Sequence, residues 1–276
     1  RDVPKMIAEL DVLMENGETV HVKSDGSFRV AEGGVLFNSI RNGETHDAGR
    51  HITAKNYRER MAEFRDAVIC TNVTAELVKS PMPYLVEAEQ LSPTSVEKTD
   101  TGSYLVAFER NFAGYVGLHA ENVKGTEITL RYGEMVTDGH LDQSSINIYT
   151  KEGDCQTDRL ICSGGKDFFK PRHTYSGFRY VEIEGLQKEP AQGDIIGYVV
   201  HQNIARSSLF SCGNELFNRI YDCAINTSYS NMVQVITDCP TREKLGWTGD
   251  LQYSAEQFLT DFEIAPMFEK IERDLA

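Results

Sequence analysis

Between residues 84 and 201 the chain repeats one pattern: a short run of β-branched and aromatic residues, then a turn. The runs are Tyr84–Leu91, Tyr104–Phe108, Tyr115–His119, Glu127–Tyr132, Asp158–Cys162, Arg179–Ile183 and Ile195–His201. Between them stand Thr101-Gly102, Lys124-Gly125, Asp138-Gly139, Gly164-Gly165, Gly185 and Gly193. Many short strands with no helical segment between them bury their apolar faces only by covering one another. The pattern therefore predicts a mainly β chain built as an antiparallel β-sandwich, jelly-roll-like in kind. Gly102, Gly125 and Gly185 are expected turn formers.

Upstream, the apolar run Met6–Leu13 ends at Asn16-Gly17, and Thr19–Lys23 alternates up to Asp25-Gly26, a hairpin pattern. Phe28, Val30, Val35 and Phe37 suggest another strand pair around Gly33-Gly34, closed by Asn42-Gly43-Glu44. Asp47 to Asp66 is polar and irregular, and Val68–Val73 and Ala75–Val78 look like strands. Pro81 and Pro83 mark a boundary.

Near residue 210 the period changes. Leu216, Phe217, Ile220, Tyr221, Ala224 and Ile225 recur at helical spacing, with Asn214 as the expected N-cap. Leu251, Ala255, Phe258, Leu259 and Phe262 form a second helical stripe. Pro266 suits the start of a third helix bearing Met267, Phe268, Ile271 and Leu275.

The net charge of -14 argues against nucleic acid, which favours a basic face, and against an anionic membrane surface. No apolar run approaches the roughly 18 residues that span a bilayer. A neutral substrate such as a sugar is compatible with this charge. The start, Arg1-Asp-Val-Pro-Lys, has neither an initiator Met nor a signal peptide, so a fragment or processed product is expected. Cys70, Cys155, Cys162, Cys212, Cys223 and Cys239 make no C-x-x-C pair and no zinc spacing. Reduced thiols are expected, which points to a cytoplasmic protein, with secretion the alternative. No metal or cofactor is expected: there is no phosphate-cradling Gly-x-Gly before a helix, no EF-hand loop and no nucleophile elbow, and the histidines are scattered.

The densest chemistry lies between the first two helical stripes, in Asp238-Cys-Pro-Thr-Arg-Glu-Lys-Leu-Gly-Trp-Thr-Gly-Asp250. It holds the carboxylates Asp238, Glu243 and Asp250, the cations Arg242 and Lys244, and the only Trp of 276 residues, Trp247. Pro240 stiffens the loop, while Gly246 and Gly249 let it turn. A carboxyl held against an indole wall is desolvated and becomes a better proton donor near neutral pH. Arg242 and Lys244 can orient carboxylates or bind hydroxyls, and Lys244 can equally be solvent-exposed. The bland alternative is a structural polar loop, with Asp250 as the N-cap of the second helix.

This loop resembles the signature loop of bacterial α-L-rhamnosidases, glycoside hydrolase family 78. His173-Thr-Tyr-Ser-Gly-Phe-Arg-Tyr-Val-Glu-Ile-Glu-Gly185 is similar to the family's strand pair before the catalytic domain. Asn111-Phe-Ala-Gly-Tyr-Val-Gly117 with Gly125-Thr-Glu-Ile-Thr-Leu-Arg-Tyr-Gly-Glu134 resembles its middle β-sandwich, and Asn42-Gly-Glu-Thr-His-Asp-Ala48 the end of the domain before it. The resemblance implies a partial β-sandwich domain over 1–82, a β-sandwich domain over 83–203, and the start of an (α/α)6 barrel over 204–276. It implies an inverting hydrolase that removes terminal α-L-rhamnose from a rhamnose-containing glycoside. It makes Glu243 the general acid, lets Asp238 and Asp250 hold sugar hydroxyls with Arg242 beside them, and packs Trp247 against the sugar.

Inversion needs a second carboxylate roughly 6.5–9.5 Å from the first. The family draws that base from further along a barrel whose twelve helices need on the order of 200 residues. The chain as given is therefore expected to be inactive, with the faces of Phe258, Phe262, Phe268 and Ile271 lacking partners and favouring self-association. Two rival readings remain: a non-catalytic carbohydrate-binding β-sandwich, and an (α/α)6 enzyme acting on another sugar.

Overall fold

A computed structural model describes residues 5–71, 76–147 and 154–276. The chain divides into two compact units, residues 1–34 with 50–79, and residues 35–49 with 80–276.

In the first unit, β1 (Glu9–Leu13) and β2 (Thr19–Lys23) form an antiparallel hairpin closed by Leu13 opposite Thr19. Gly17 turns the chain at φ +86°, a conformation that costs glycine nothing. β3 (Arg29–Val30) pairs with Arg65–Asp66. The strands expected over 68–73 and 75–78 do not form at residues 68–71 and 76–78, where Val68, Ile69, Leu77 and Val78 are exposed; residues 72–75 lie outside the described residues. A run of β-branched residues makes a strand only where a partner edge is at hand.

The second unit is organised by one ten-stranded sheet. Its strands are β4 (Val35–Ser39), β5 (Gly43–Asp47), then, after β6 (Arg65–Asp66) of the first unit, β7 (Leu85–Leu91), β8 (Ser95–Lys98), β9 (Tyr104–Glu121) and β10 (Glu127–Gly133). A small hairpin, β11 (Met135–Thr137) with β12 (His140–Asp142), precedes β13 (Thr157–Ile161), β14 (Lys166–Phe169), β15 (Ser176–Glu184) and β16 (Ile195–Gln202). The strand order is β4-β5-β13-β10-β15-β9-β16-β7, with β8 and β14 also paired to β9. All pairings in this sheet are antiparallel except β5 beside β13.

Expected as two strands, Tyr104–Phe108 and Tyr115–His119 are one, β9, and its two halves curl the sheet onto itself. Its first half pairs with β8, its second with β14 and β16, and β15 runs along both. Between them the register against β15 moves from Ala107–Tyr180 to Phe112–Phe178, so β9 advances further than its partner and bulges. Phe108, Phe112, Phe178 and Tyr132 fill the fold of the curl; Phe108 meets Phe112 edge-on at 5.5 Å, and Tyr132 meets Phe178 at 4.8 Å. Edge-to-face rings gain from their quadrupoles beyond the area they bury.

The sheet hands over to helices. Asn214 caps α1 (Glu215–Asn231) as expected, its side chain accepting from Leu216 N at 3.0 Å. The short hairpin β17 (Met232–Val233) and β18 (Val235–Ile236) leads to α2 (Thr248–Asp261) and α3 (Ala265–Leu275), with Pro266 in the first turn of α3. The β9 bulge holds α1: Asn226 Nδ2 donates to Asn111 O at 3.0 Å, and Arg110 Nε donates to Asn226 Oδ1 at 3.3 Å.

One helical expectation is corrected. Phe258 and Phe262, each 2% exposed, lie in a core with Ile204, Ile225, Met232, Ile236, Ile264 and Met267, and Phe268 and Ile271 pack against it. These faces cover one another. The exposed large apolar side chains of these helices are instead Leu216, Phe217 and Ile220 of α1, Tyr253 and Leu259 of α2, and Leu275 of α3. A helical stripe shows which side chains share a face, not what covers that face.

Candidate active site

The loop 238–247 leaves β18 and enters α2, and Asp238 closes it. Asp238 N donates to Leu245 O at 3.0 Å, and Leu245 N donates to Asp238 Oδ1 at 3.0 Å. Cys239 Sγ lies 3.1 Å from Asp238 Oδ2 and accepts from Glu243 N at 3.4 Å. A turn over residues 240–243 fits inside this clasp.

The loop is seated on the sheet at Gly177 of β15. A Cβ there would stand 2.7 Å from Pro240 Cγ and 2.9 Å from Thr241 Cγ2, closer than carbon atoms approach. The Gln156 side chain locks the seat, donating to Gly177 O at 3.0 Å and accepting from Gly177 N at 2.8 Å.

Glu243 is half-buried, and its Oε2 accepts a 3.0 Å hydrogen bond from Trp247 Nε1. Trp247 thus presents its N–H edge to the carboxylate, where a flat wall is the sequence expectation. Among the described residues nothing donates to Oε1, which is left for an incoming group. Trp247 is also the N-cap of α2, its carbonyl accepting from Leu251 N. Asp250, considered as that cap, stands instead in the first turn, where its charge complements the helix N-terminus.

Lys244 is not solvent-exposed. It is 6% exposed, with Nζ donating to Ile40 O at 2.6 Å and Tyr175 O at 2.5 Å, and lies 4.6 Å from the centre of the Tyr175 ring. Burial pushes its ammonium down to about 7 from its ordinary 10.5. Arg242 is exposed and offers a positive charge to Glu134, which follows β10. Crowding by surrounding protein raises the Glu134 carboxyl above its ordinary value, and Arg242 opposes that rise.

The structure therefore gathers Asp238, Arg242, Glu243 and Trp247 into one loop and places Asp250 one helical turn beyond. Sequence reasoning missed three contributors. Glu134 ends the run from Gly125 but bears no local sign of facing Arg242. Arg41 donates from Nε to Glu243 O at 3.0 Å across 202 residues of sequence. Gly177 stands among strand residues, where a glycine marks a close backbone approach, and that signal alone could have found it.

A curled β-sandwich thus meets packed helices at a carboxylate-bearing loop, the architecture of a β-sandwich followed by the first helices of a helical barrel. Family models match along the chain: the α-L-rhamnosidase N-terminal domain over residues 1–88, the bacterial α-L-rhamnosidase concanavalin-like domain over 97–201, and the bacterial α-L-rhamnosidase 6 hairpin glycosidase domain over 205–276. The chain belongs to the bacterial α-L-rhamnosidase family.

An α-L-rhamnosidase of Formosa agariphila is 27% identical over 99% of this chain and 29% of its own length. The solved α-L-rhamnosidase of Dictyoglumus thermophilum is 30% identical with a TM-score of 0.88, covering 98% of this chain and 30% of that one. The fold also matches the Streptomyces avermitilis α-L-rhamnosidase complexed with L-rhamnose, at a TM-score of 0.84 and 24% identity over 96% of this chain and 26% of that one. The chain thus spans less than a third of the length of these relatives. The mainly β architecture with the first helices of a helical barrel agrees with the fold class expected from sequence and resemblance.

Proposed function

We propose that the protein removes terminal α-L-rhamnose from a rhamnose-containing glycoside with inversion, and that this chain carries the general-acid half of the site. The observation that carries the reading is Glu243: one carboxylate oxygen held by Trp247, the other without a donor among the described residues, on a loop pinned at both ends. Protonated, Glu243 donates from Oε1 to the glycosidic oxygen as the bond to the sugar breaks, so the aglycone leaves as an alcohol. Asp238 and Asp250 accept hydrogen bonds from sugar hydroxyls. Among the described residues, the second oxygen of Asp238 has only the weak thiol donor Cys239, which a hydroxyl can outcompete. Arg242 binds on the exposed side, and the outer face of Trp247, a residue 52% exposed, packs against the sugar ring.

Inversion requires a base on the opposite face of the sugar. We place it outside residues 1–276 and propose that these residues alone are inactive. Assays on an aryl α-L-rhamnoside, within a panel of other aryl glycosides, test the sugar. Turnover by residues 1–276 overturns the assignment of half a site. In the full-length protein, Glu243→Gln with unimpaired activity on an unactivated rhamnoside overturns the acid.

A further inference from the structure

Glu243 and Lys244 are neighbours with opposite surroundings. Glu243 reaches towards Trp247, while Lys244 turns inward through a left-handed backbone, φ +54°, which non-glycine residues rarely adopt. Its ammonium is taken out of water and given two main-chain carbonyls, Ile40 O and Tyr175 O, and the face of the Tyr175 ring. The carbonyls come from different places. Ile40 lies in the turn between β4 and β5, and Tyr175 immediately precedes β15. Arg41, next to Ile40, donates to the carbonyl of Glu243 itself. Two consecutive residues of one β-turn thus grip two consecutive residues of the loop.

A buried cation is a costly way to fasten a loop that Asp238 already closes. Its return is geometric, because a charged donor between two fixed carbonyls tolerates little displacement. Arg41 holds the carbonyl that follows the Glu243 Cα and Lys244 anchors the next residue, while Cys239 Sγ accepts from Glu243 N on the other side, so the main chain from which the Glu243 side chain departs is fixed before and after it.

We propose that Lys244 and Arg41 are positioning residues that aim the Glu243 carboxyl from the β-sandwich, a role that rests on Glu243 being the acid. Neither touches the substrate. Their removal leaves binding intact and misdirects the proton.

The test is Lys244→Met in the full-length protein, assayed on a rhamnoside with an alkyl leaving group and on one with a dinitrophenyl leaving group, which departs without a proton. The expected result is a kcat loss of about 100-fold on the alkyl rhamnoside, a loss several-fold at most on the dinitrophenyl rhamnoside, and an unchanged KM on both. Equal losses on the two substrates, or no loss, overturn the proposal. If Lys244→Met does not fold, Arg41→Gln, which keeps the buried ammonium, takes its place on the same two substrates: a loss confined to the alkyl rhamnoside supports positioning, and equal losses or none overturn it. Glu243→Gln is the control: if it shows no dependence on the leaving group, the acid assignment falls, a different failure from that of positioning.

Discussion

Trp247 Nε1 donates to Glu243 Oε2 at 3.0 Å, four residues back along the loop, and Trp247 is the only tryptophan. Removing the donor while keeping an aromatic ring isolates this bond. Trp247→Phe in the full-length protein is expected to lower kcat/KM by about tenfold, the equivalent of about 1.4 kcal/mol. Steady-state kinetics on an alkyl rhamnoside check it, and unchanged kinetics would show that the bond does not contribute.

Gly177 bears the loop. Gly177→Ala puts a methyl into space held by Pro240 and Thr241, and overpacking of this kind costs ~1–3 kcal/mol. The loop is the softer partner, so the strain is expected to lift it off the sheet. Thermal melting should show a modest loss of stability, and Trp247 emission should shift as its bond to Glu243 loosens. A melting change with no change in emission would place the strain elsewhere.

The buried groups behind the loop give a pH dependence. Burial pushes the Asp158 carboxyl up to about 7 from 3.8; it accepts from Glu44 N at 2.8 Å and faces Tyr132, Glu44 and Lys244. Between pH 4 and 7 the folded chain therefore holds a proton that the unfolded chain has lost, and stability falls as pH rises. Lys244, facing Cys155, Asp158, Cys239 and Arg41, works in the opposite sense above 7, where the folded chain has released a proton that the unfolded chain keeps to about 10.5. Asp158→Asn should gain stability relative to the parent from pH 4 to 7, by at most ~1.4 kcal/mol per pH unit. Denaturant melts at three pH values check this; parallel curves for variant and parent would exclude it.

The outer face of α1 carries Leu216, Phe217 and Ile220, each more than half exposed. Exposed apolar groups at helical spacing favour association. Residues 1–276 should therefore self-associate with rising concentration, and Leu216→Glu with Ile220→Lys should reduce that association without lowering the melting temperature. Light scattering across a concentration series decides, and a monodisperse parent at high concentration would remove the idea.

The fold was most legible where local rules decide. Asn214 caps α1 because a short polar side chain before an apolar stripe has few better uses, and Pro266 opens α3 because its ring suits a first helical turn. The turns of the sandwich announced themselves through glycine. What stayed hidden depends on partners far along the chain. No periodicity indicates that β5 lies parallel to β13, and nothing local shows that Lys244 is buried while Arg242, two positions before it, is exposed. The same holds for the helices, where Phe258 and Leu216 sit in similar stripes and only packing separates the buried one from the exposed one. In the loop, residue types displayed the chemistry, while the edge-on indole and the seat at Gly177 required coordinates.

The contact from Arg41 to the main chain of Glu243 spans 202 residues. A ribosome adding ~5–20 residues per second needs on the order of 10–40 s to make that much chain. Throughout that interval the turn at Ile40 and Arg41 exists without the residues it will grip. The sandwich has time to close first, so the loop at 238–247 arrives at a finished surface. A defect in the early strands would then surface late, as a correctly made loop with nowhere to dock.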